Sequence, residues 1–168
     1  MTLRSALDRA VARILAPVPE VQRRWARRTA RATVAGGVPW APFGQRLDGS
    51  RLAVVTTGGF HLPGQPGFDC DRGDPSFREI PGDVPLGELR ISHTHYDTRD
   101  ALADPNILLP LDRLRELVAE GALGRVAPTH YSLMGYIPQV EALVGETAPA
   151  IVQRMRREEV DLALLTPA

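Results

Sequence analysis

Strand-patterned segments alternate with helix-patterned segments over most of the chain, and this alternation restricts the fold more than any other feature. Four segments have the pattern of strands, at residues 52–56, 88–92, 124–127 and 160–166. Apolar residues at helical spacing predict helices at 109–119 and 147–158, and a helical turn at 138–144 that ends at Gly145. Strands that alternate with helices form α/β domains. We therefore predict an α/β fold with a mainly parallel sheet and flanking helices, in a Rossmann-like three-layer arrangement.

An arginine-rich segment precedes this domain. Apolar residues at positions 3, 7, 10 and 14 have helical spacing, Pro17 and Pro19 interrupt the pattern, and a second helix is predicted from about 19 to 35, before Gly36-Gly37. Residues 1–34 hold eight arginines against two acidic residues and carry +6, whereas the rest of the chain carries −6. We expect an N-terminal helical arm over residues 1–37 and an α/β domain over 38–168.

Composition excludes several classes of protein. The single cysteine, Cys70, permits no internal disulfide, which favours a reducing, cytoplasmic setting. No apolar run approaches the roughly 20 residues of a membrane span. With two tryptophans, three tyrosines and four phenylalanines, the chain has few side chains on which nucleic-acid bases could stack, so we expect no nucleic-acid partner.

Histidines mark the candidate site. Three of the four lie in the segment from Arg90 to Tyr136, and histidine is both the side chain that titrates near neutral pH and the commonest metal ligand. Side chains alternate along an extended strand, so His93, His95 and Asp97 would share one face. We predict His93, His95 and His130 as acid/base or substrate-orienting residues, with Asp97 fixing an imidazole tautomer.

A second group of candidates surrounds the turn after the first strand. Glycines and hydroxyls there would let backbone N–H groups approach an anion or a substrate carboxylate. In an α/β sheet, ligands bind beyond the carboxyl ends of the strands, where these residues are expected. The predicted substrate-binding residues are Thr56, Thr57, Gly58, Gly59, His61, Tyr131 and Ser132. No metal site is assigned, and Cys70, flanked by two aspartates that disfavour its thiolate, is taken as incidental.

Several segments together resemble the selenoprotein B family of glycine, sarcosine, betaine and D-proline reductases. The similarity extends over residues 38–168 and looks closest to the D-proline reductase branch. It rests on four motifs and on residues 106–117. The motifs are Val-Val-Thr-Thr-Gly-Gly-Phe-His (54–61), Gly-Asp-Pro-Ser-Phe-Arg (73–78), Ile-Ser-His-Thr-His-Tyr-Asp (91–97) and Ala-Pro-Thr-His-Tyr-Ser-Leu-Met-Gly-Tyr (127–136).

The resemblance implies reductive cleavage of a C–N bond by a selenocysteine, or a cysteine in its place, which a dithiol or thioredoxin-like reductant then regenerates. In that family the residue follows a strand that ends like Leu-Leu-Thr-Pro here. We therefore expect a selenocysteine directly after Ala168, at an in-frame UGA, and a domain that is incomplete at its C-terminus. No other cofactor is expected. The substrate would be an amino acid or amine-like molecule, and a pyruvoyl-bearing partner subunit or a homo-oligomer is open.

Two other functions remain open from the sequence. His93-x-His95-x-Asp97 matches the start of the H-x-H-x-D-H motif of metal-dependent hydrolases, although Thr98 replaces the last histidine. A catalytic zinc needs three protein ligands, which His61 or His130 could complete. Alternatively, the chain is a non-catalytic subunit that binds a partner through its arginine-rich arm.

Overall fold

A computed structural model describes residues 41–168 and the isolated positions 6, 7, 10, 11, 13, 14, 20, 23 and 24. Those isolated positions are helical. The rest of the predicted helical arm lies outside the described residues, and the division of the chain at residue 37 stays a prediction.

A five-stranded, mostly parallel sheet forms the centre of the domain. Strand β1 (Arg51–Thr56) has β7 (Leu162–Thr166) along one edge, and β5 (Arg125–Val126) and β6 (Thr129–Ser132) follow each other along its other edge, all parallel to it. Strand β3 (Arg78–Pro81) adds to β6 in the antiparallel sense. The mainly parallel α/β fold is therefore confirmed, whereas the Rossmann-like arrangement stays a prediction.

Two apolar clusters pack against opposite faces of the sheet. Successive side chains of a strand point to opposite faces, so Ala53 and Val54 of β1 enter different clusters. Val54 packs with Leu111 and Leu114 of helix α2 (Leu111–Ala119). Ala53 packs with Ile151 and Met155, which belong to the helix α4 (Ala148–Arg157). Each face of the sheet is thus covered by a helix.

The predicted strand at 88–92 takes a different place. Its extended part, β4 (Arg90–Ile91), pairs antiparallel with β2 (Phe60–His61) in a separate two-stranded sheet. Gly59, with a φ of +74°, turns the chain out of β1 towards this small sheet, and the Ser92 N–H bonds back to the Gly59 carbonyl at 2.9 Å. The expectation that this strand joins the parallel sheet is wrong, because the turn directs β2 away from it.

The remaining helices are short. Helix α1 (Arg99–Ala103) follows the histidine-rich segment, and α3 (Val140–Ala142) continues through a π-helical turn (Leu143–Thr147) directly into α4. Gly145 therefore does not end a helix as predicted. Pro149 has no N–H to offer the carbonyl of residue 145, a situation that favours a wider turn. Single 3₁₀ turns occupy Leu47–Gly49, Leu86–Glu88 and Pro105–Ile107.

Arg78 anchors the first part of the irregular segment at 62–88. The Arg78 guanidinium donates to the carbonyl oxygens of Pro66 and Gly67 at 2.7 and 3.1 Å, and lies 4.2 Å from the centre of the Phe68 ring. It also pairs with Asp74 at 3.5 Å, and both side chains are largely buried. The loop is therefore folded onto the sheet, and β3 lies inside it.

Candidate functional site

The carboxyl ends of three strands meet at one edge of the sheet. Thr56 of β1 is in register with Ser132 of β6 and with Thr166 of β7. The Thr57 N–H then donates to the Thr166 carbonyl at 3.0 Å, and the Ala168 N–H donates to Thr57 Oγ1 at 2.9 Å. The residue that follows β1 thus holds the segment that follows β7.

His93 lies beside this edge and connects two loops. It is buried, with Nδ1 3.0 Å from the His95 backbone N–H and Nε2 3.2 Å from that of Gly135. Burial, with a smaller contribution from the charge of His95, lowers the pKa of His93 to about 4, so the ring is neutral at pH 7. A neutral imidazole has one acceptor nitrogen, so only one of the two amides can donate to it in a given tautomer.

His95 is exposed, and aromatic rings surround the pair. The His95 ring stacks on Tyr136 with the centroids 4.4 Å apart and the planes 25° from parallel, and its Nδ1 lies 3.2 Å from Thr94 Oγ1. The Tyr96 ring lies 4.5 Å from His93, and its hydroxyl donates to the Gly58 carbonyl at 3.0 Å. Burial raises the pKa of Tyr96, so its hydroxyl stays protonated as a donor.

Gly135 closes the gap between the strand edge and the histidines. A Cβ at this position would lie 3.1 Å from His93 Nε2 and 3.6 Å from Thr57 Oγ1. The absence of a side chain therefore lets Gly135 pack closely between Thr57, which contacts Ala168, and the buried His93 ring.

Asp97 does not join the histidines. The strand before it ends at Ile91, and residues 92–98 form a loop in place of the predicted extended segment. The Asp97 carboxylate pairs with the Arg99 guanidinium at 2.5 Å, and this bond is the main reason that the pKa of Asp97 lies below its ordinary value. Backbone N–H groups, not Asp97, contact the His93 ring.

His130 lies in the core instead of at the edge. It is fully buried, and its Nδ1 accepts a 2.9 Å hydrogen bond from the Val54 N–H. That bond fills an interruption in the ladder, since Ala127 and Pro128 separate β5 from β6 along β1. Burial lowers the pKa of His130 to about 4, with a smaller contribution from Arg115. In the described geometry His130 is a packing residue of the core, and its role as an acid/base residue stays a prediction.

The side chains of the other predicted binding residues are either buried or held by neighbouring groups. His61, on the small sheet, contacts Ser92 Oγ through Nε2 at 2.9 Å and the Leu62 carbonyl through Nδ1 at 3.0 Å. Fully buried side chains are unavailable to a substrate in this conformation, and three predicted binding residues fall in this class: Thr56, Tyr131 and Ser132.

The amides of the turn after β1 are already paired. The Thr57 N–H donates to Thr166, the Gly58 N–H to Thr56 Oγ1 at 3.1 Å, and the Gly59 N–H to the Leu133 carbonyl at 2.9 Å. They could hold an anion only if these bonds broke, and their role in substrate binding stays a prediction. Of this turn, the partly exposed Thr57 is the residue that contributes a side-chain hydroxyl at the site.

The described residues do not form a set of ligands for a metal ion. There, no three histidine, cysteine or acidic side chains are close enough together to hold a metal ion. Asp97, the third ligand of the hydrolase motif, is engaged by Arg99. Cys70 is half-buried in the loop before β3, with Sγ 3.6 Å from the Phe68 carbonyl.

Three residues of the site are missing from the sequence-based prediction. Tyr96, Gly135 and Tyr136 contact the two histidines or lie directly against them. All three belong to the two histidine-containing motifs, so their position in the sequence was the available signal. Which of them would contact an imidazole depends on how the two loops meet.

Comparison with known proteins identifies similar chains. Residues 35–168 match a protein family described as glycine/sarcosine/betaine reductase selenoprotein B. The chain is 35% identical over 127 residues to the D-proline reductase subunit gamma of Acetoanaerobium sticklandii, an alignment that covers 76% of this chain and 52% of that protein.

Two further relatives belong to larger complexes. The glycine reductase complex component B subunit gamma of Symbiobacterium thermophilum is 31% identical, over 77% of this chain and 31% of its own length. The betaine reductase complex component B subunit beta of Peptoclostridium acidaminophilum is 32% identical, over 71% and 28%. The chain thus spans from about a quarter to half of the length of these relatives. No solved structure matches it. Among the described residues, no helix is long and apolar enough to cross a bilayer.

Proposed function

Because this chain belongs to the glycine/sarcosine/betaine reductase selenoprotein B family, we propose that it is a component of a reductase complex that cleaves a C–N bond. Its substrate class is an amino acid or a related amine, as the names of the relatives suggest. The partners are a further subunit and a dithiol or thioredoxin-like reductant, and the location is cytoplasmic.

The proposed reacting atom is a selenol or thiol immediately beyond Ala168. The observation that carries this proposal is the hydrogen bond from the Ala168 N–H to Thr57 Oγ1, in a segment that lies beside Gly135 and His93. A nucleophile attached there would start beside Thr57, which Gly135 separates from His93. The ionised form of the nucleophile attacks, and an ordinary cysteine is mostly protonated at pH 7. A selenol is the stronger acid, so it is favoured at this position.

The proposed reaction balances in three steps. The selenolate attacks the carbon that carries nitrogen, so that a C–Se bond forms and the C–N bond breaks, and the amine leaves with the electron pair and takes a proton. A thiol then attacks selenium. The carbon leaves with the C–Se electron pair and takes a proton, which yields a C–H bond. The second thiol of the reductant breaks the Se–S bond, so two thiols become one disulfide.

The two histidines have different proposed roles. His95 is exposed and stacked on Tyr136, and we assign it the proton that the departing amine takes. His93 is neutral and buried and is assigned a positioning role, because its ring lies between the backbone N–H of His95 and that of Gly135 and accepts from one of them. The Thr57 hydroxyl orients the residue after β7.

The codon after Ala168 tests the first part of the proposal. An in-frame UGA or a cysteine codon supports it, and a UAA or UAG contradicts it. The extended protein, with selenocysteine or cysteine at that position, is then assayed for dithiol-dependent release of ammonia or amine from glycine, sarcosine and betaine, and for dithiol-dependent opening of the D-proline ring to a linear amino acid.

Two variants of the extended protein act as controls. Serine at the nucleophile position should abolish turnover. His95→Gln should slow amine release and leave alkylation of the nucleophile by iodoacetamide unchanged. Activity that persists in the serine variant would contradict the proposal.

A further inference from the structure

The small sheet carries a serine and a histidine that are hydrogen-bonded to each other and have no part in the reaction proposed above. His61 lies in β2, and Ser92 directly follows β4, the strand with which β2 pairs. His61 Nε2 lies 2.9 Å from Ser92 Oγ, and both residues are partly exposed. A serine becomes a nucleophile when a base within hydrogen-bond distance can take its proton. The pair therefore has the contact that a reactive serine requires.

A backbone carbonyl fixes the tautomer of this histidine. His61 Nδ1 lies 3.0 Å from the Leu62 carbonyl oxygen, which can only accept a hydrogen bond. In the neutral ring, Nδ1 therefore carries the proton, and Nε2 accepts from the Ser92 hydroxyl. In serine hydrolases, a third group that accepts from the other ring nitrogen orients the histidine in the same way. Here the Leu62 carbonyl has that position.

The amide that follows the serine is available as a hydrogen-bond donor. In acyl transfer, backbone N–H groups stabilise the oxyanion that develops, and the N–H of the residue after the nucleophile can be one of them. The Ser92 N–H donates to the Gly59 carbonyl at 2.9 Å, whereas the His93 N–H donates to no group among the described residues. The His93 N–H is therefore the candidate donor to an oxyanion at this position.

A glycine leaves space beside the serine hydroxyl. Gly67 is exposed, and a Cβ added to it would lie 2.8 Å from Ser92 Oγ and 3.8 Å from His61 Nε2. A side chain at this position would occupy space that a group bonded to the serine oxygen needs. Because the Gly67 backbone itself lies close to the hydroxyl, the group that fits is small.

We propose that Ser92 is the nucleophile and His61 the base of a second site, which takes a small acyl group from an ester or a thioester. Ser92 Oγ attacks the carbonyl carbon, and its proton passes to His61 Nε2. The bond to the alcohol oxygen or thiol sulfur breaks, and this group leaves with the electron pair and the proton from His61. Water then attacks the acyl-serine, and His61 takes and returns a proton, so that the carboxylic acid and the free serine are formed.

Labelling with a small alkyl fluorophosphonate tests the proposal. An activated serine oxygen bonds to phosphorus and releases fluoride, and mass spectrometry of the peptides identifies the labelled residue. The protein is used without an extension beyond Ala168, so the result is independent of the reductase proposal. We expect a single label, on Ser92. Ser92→Ala should abolish it, and His61→Gln should slow labelling about a hundredfold or more, because the base is removed.

Matched controls lie in the same loop. Gly67→Ala should slow labelling about tenfold to a hundredfold, because the added Cβ crowds the serine oxygen. Gly64→Ala, where no atom lies within 4 Å of the added Cβ, should leave the rate unchanged. Ser76, an exposed serine whose hydroxyl donates to Asp74, should stay unlabelled in every protein. Circular dichroism verifies that the variants fold.

Hydrolysis of p-nitrophenyl acetate then tests the acyl step, and Ser92→Ala should remove the protein-dependent rate. A native protein that the fluorophosphonate does not label would overturn the proposal, as would a labelling rate that His61→Gln leaves unchanged. Hydrolysis of the ester at the same rate by the native protein and by Ser92→Ala would overturn it as well.

Discussion

The buried His130 makes the stability of the fold depend on pH below neutrality. Its pKa is about 4 in the folded chain and about 6.5 when unfolded, because burial disfavours the imidazolium. Between these values the unfolded chain binds a proton that the folded chain does not, so stability is retained above pH 6.5 and falls as the pH drops towards 4. From pH 7 to 5 the loss is about 2 kcal/mol, at 1.36 kcal/mol per pKa unit.

A variant isolates this contribution. His130→Asn removes the titrating ring but can place its side-chain oxygen where Nδ1 accepts the Val54 N–H. His93 has the same direction of shift and a similar pKa, so the native chain should lose about 4 kcal/mol in total from these two residues and the variant about 2. Urea unfolding at pH 7, 6 and 5 measures this slope, provided that the m-value stays constant.

The test compares how steeply the free energy of unfolding changes with pH, because the smaller side chain of His130→Asn lowers stability at every pH. Ser132→Ala is the matched control, since Ser132 is buried on the same face of β6 and its hydroxyl has no hydrogen-bond partner in the structure. It should leave the slope unchanged. An equal slope in the native chain and in His130→Asn would refute the reasoning.

Three further outcomes follow from described contacts. Gly59→Ala should cost at least about 2 kcal/mol in urea unfolding, because a Cβ there would lie 2.5 Å from a backbone carbonyl oxygen at φ +74°. Gly121→Ala, with the same φ and open space, should cost only about 1 kcal/mol, and equal costs would contradict the steric argument. Arg78→Lys should destabilise the protein by about 2 to 3 kcal/mol and expose the 62–77 loop to limited proteolysis, since an ammonium cannot reproduce the planar set of hydrogen bonds. Tyr136→Ala should shift the imidazole C–H resonances of His95 in NMR spectra, whereas Tyr136→Phe should preserve them, because the stacked ring is 4.4 Å away.

The sequence predicted those strands and helices that have a clear apolar pattern within their own residues. Strands β1 and β7 and helices α2 and α4 lie within two residues of their expected bounds, since each has a contiguous apolar pattern. The pairing of β2 with β4 involves two residues on each side, too few for a period to be visible. Strand β3 has a single buried apolar residue, Ile80, in a segment rich in proline and glycine.

The part of the site that the sequence predicted consists of residues that lie close together in the chain or at strand ends. His93 and His95 are neighbours in the sequence, and the strand edge near Thr57 follows from the rule for parallel sheets. The contact between His93 and Gly135 joins residues far apart in the chain and depends on how two loops pack. His130 shows a different limit, because no pattern indicates that an imidazole will replace a backbone acceptor.

The interruption between β5 and β6 also determines how these strands align with β1. Pro128 has no N–H and occupies the gap, where the ladder requires no donor from it. A shift of one residue would turn the imidazole of His130 to the opposite face and leave the Val54 amide without an acceptor in the protein interior. The histidine thus reinforces the alignment that the apolar side chains of these strands also require, because a shifted strand would lose the only acceptor described for the Val54 amide.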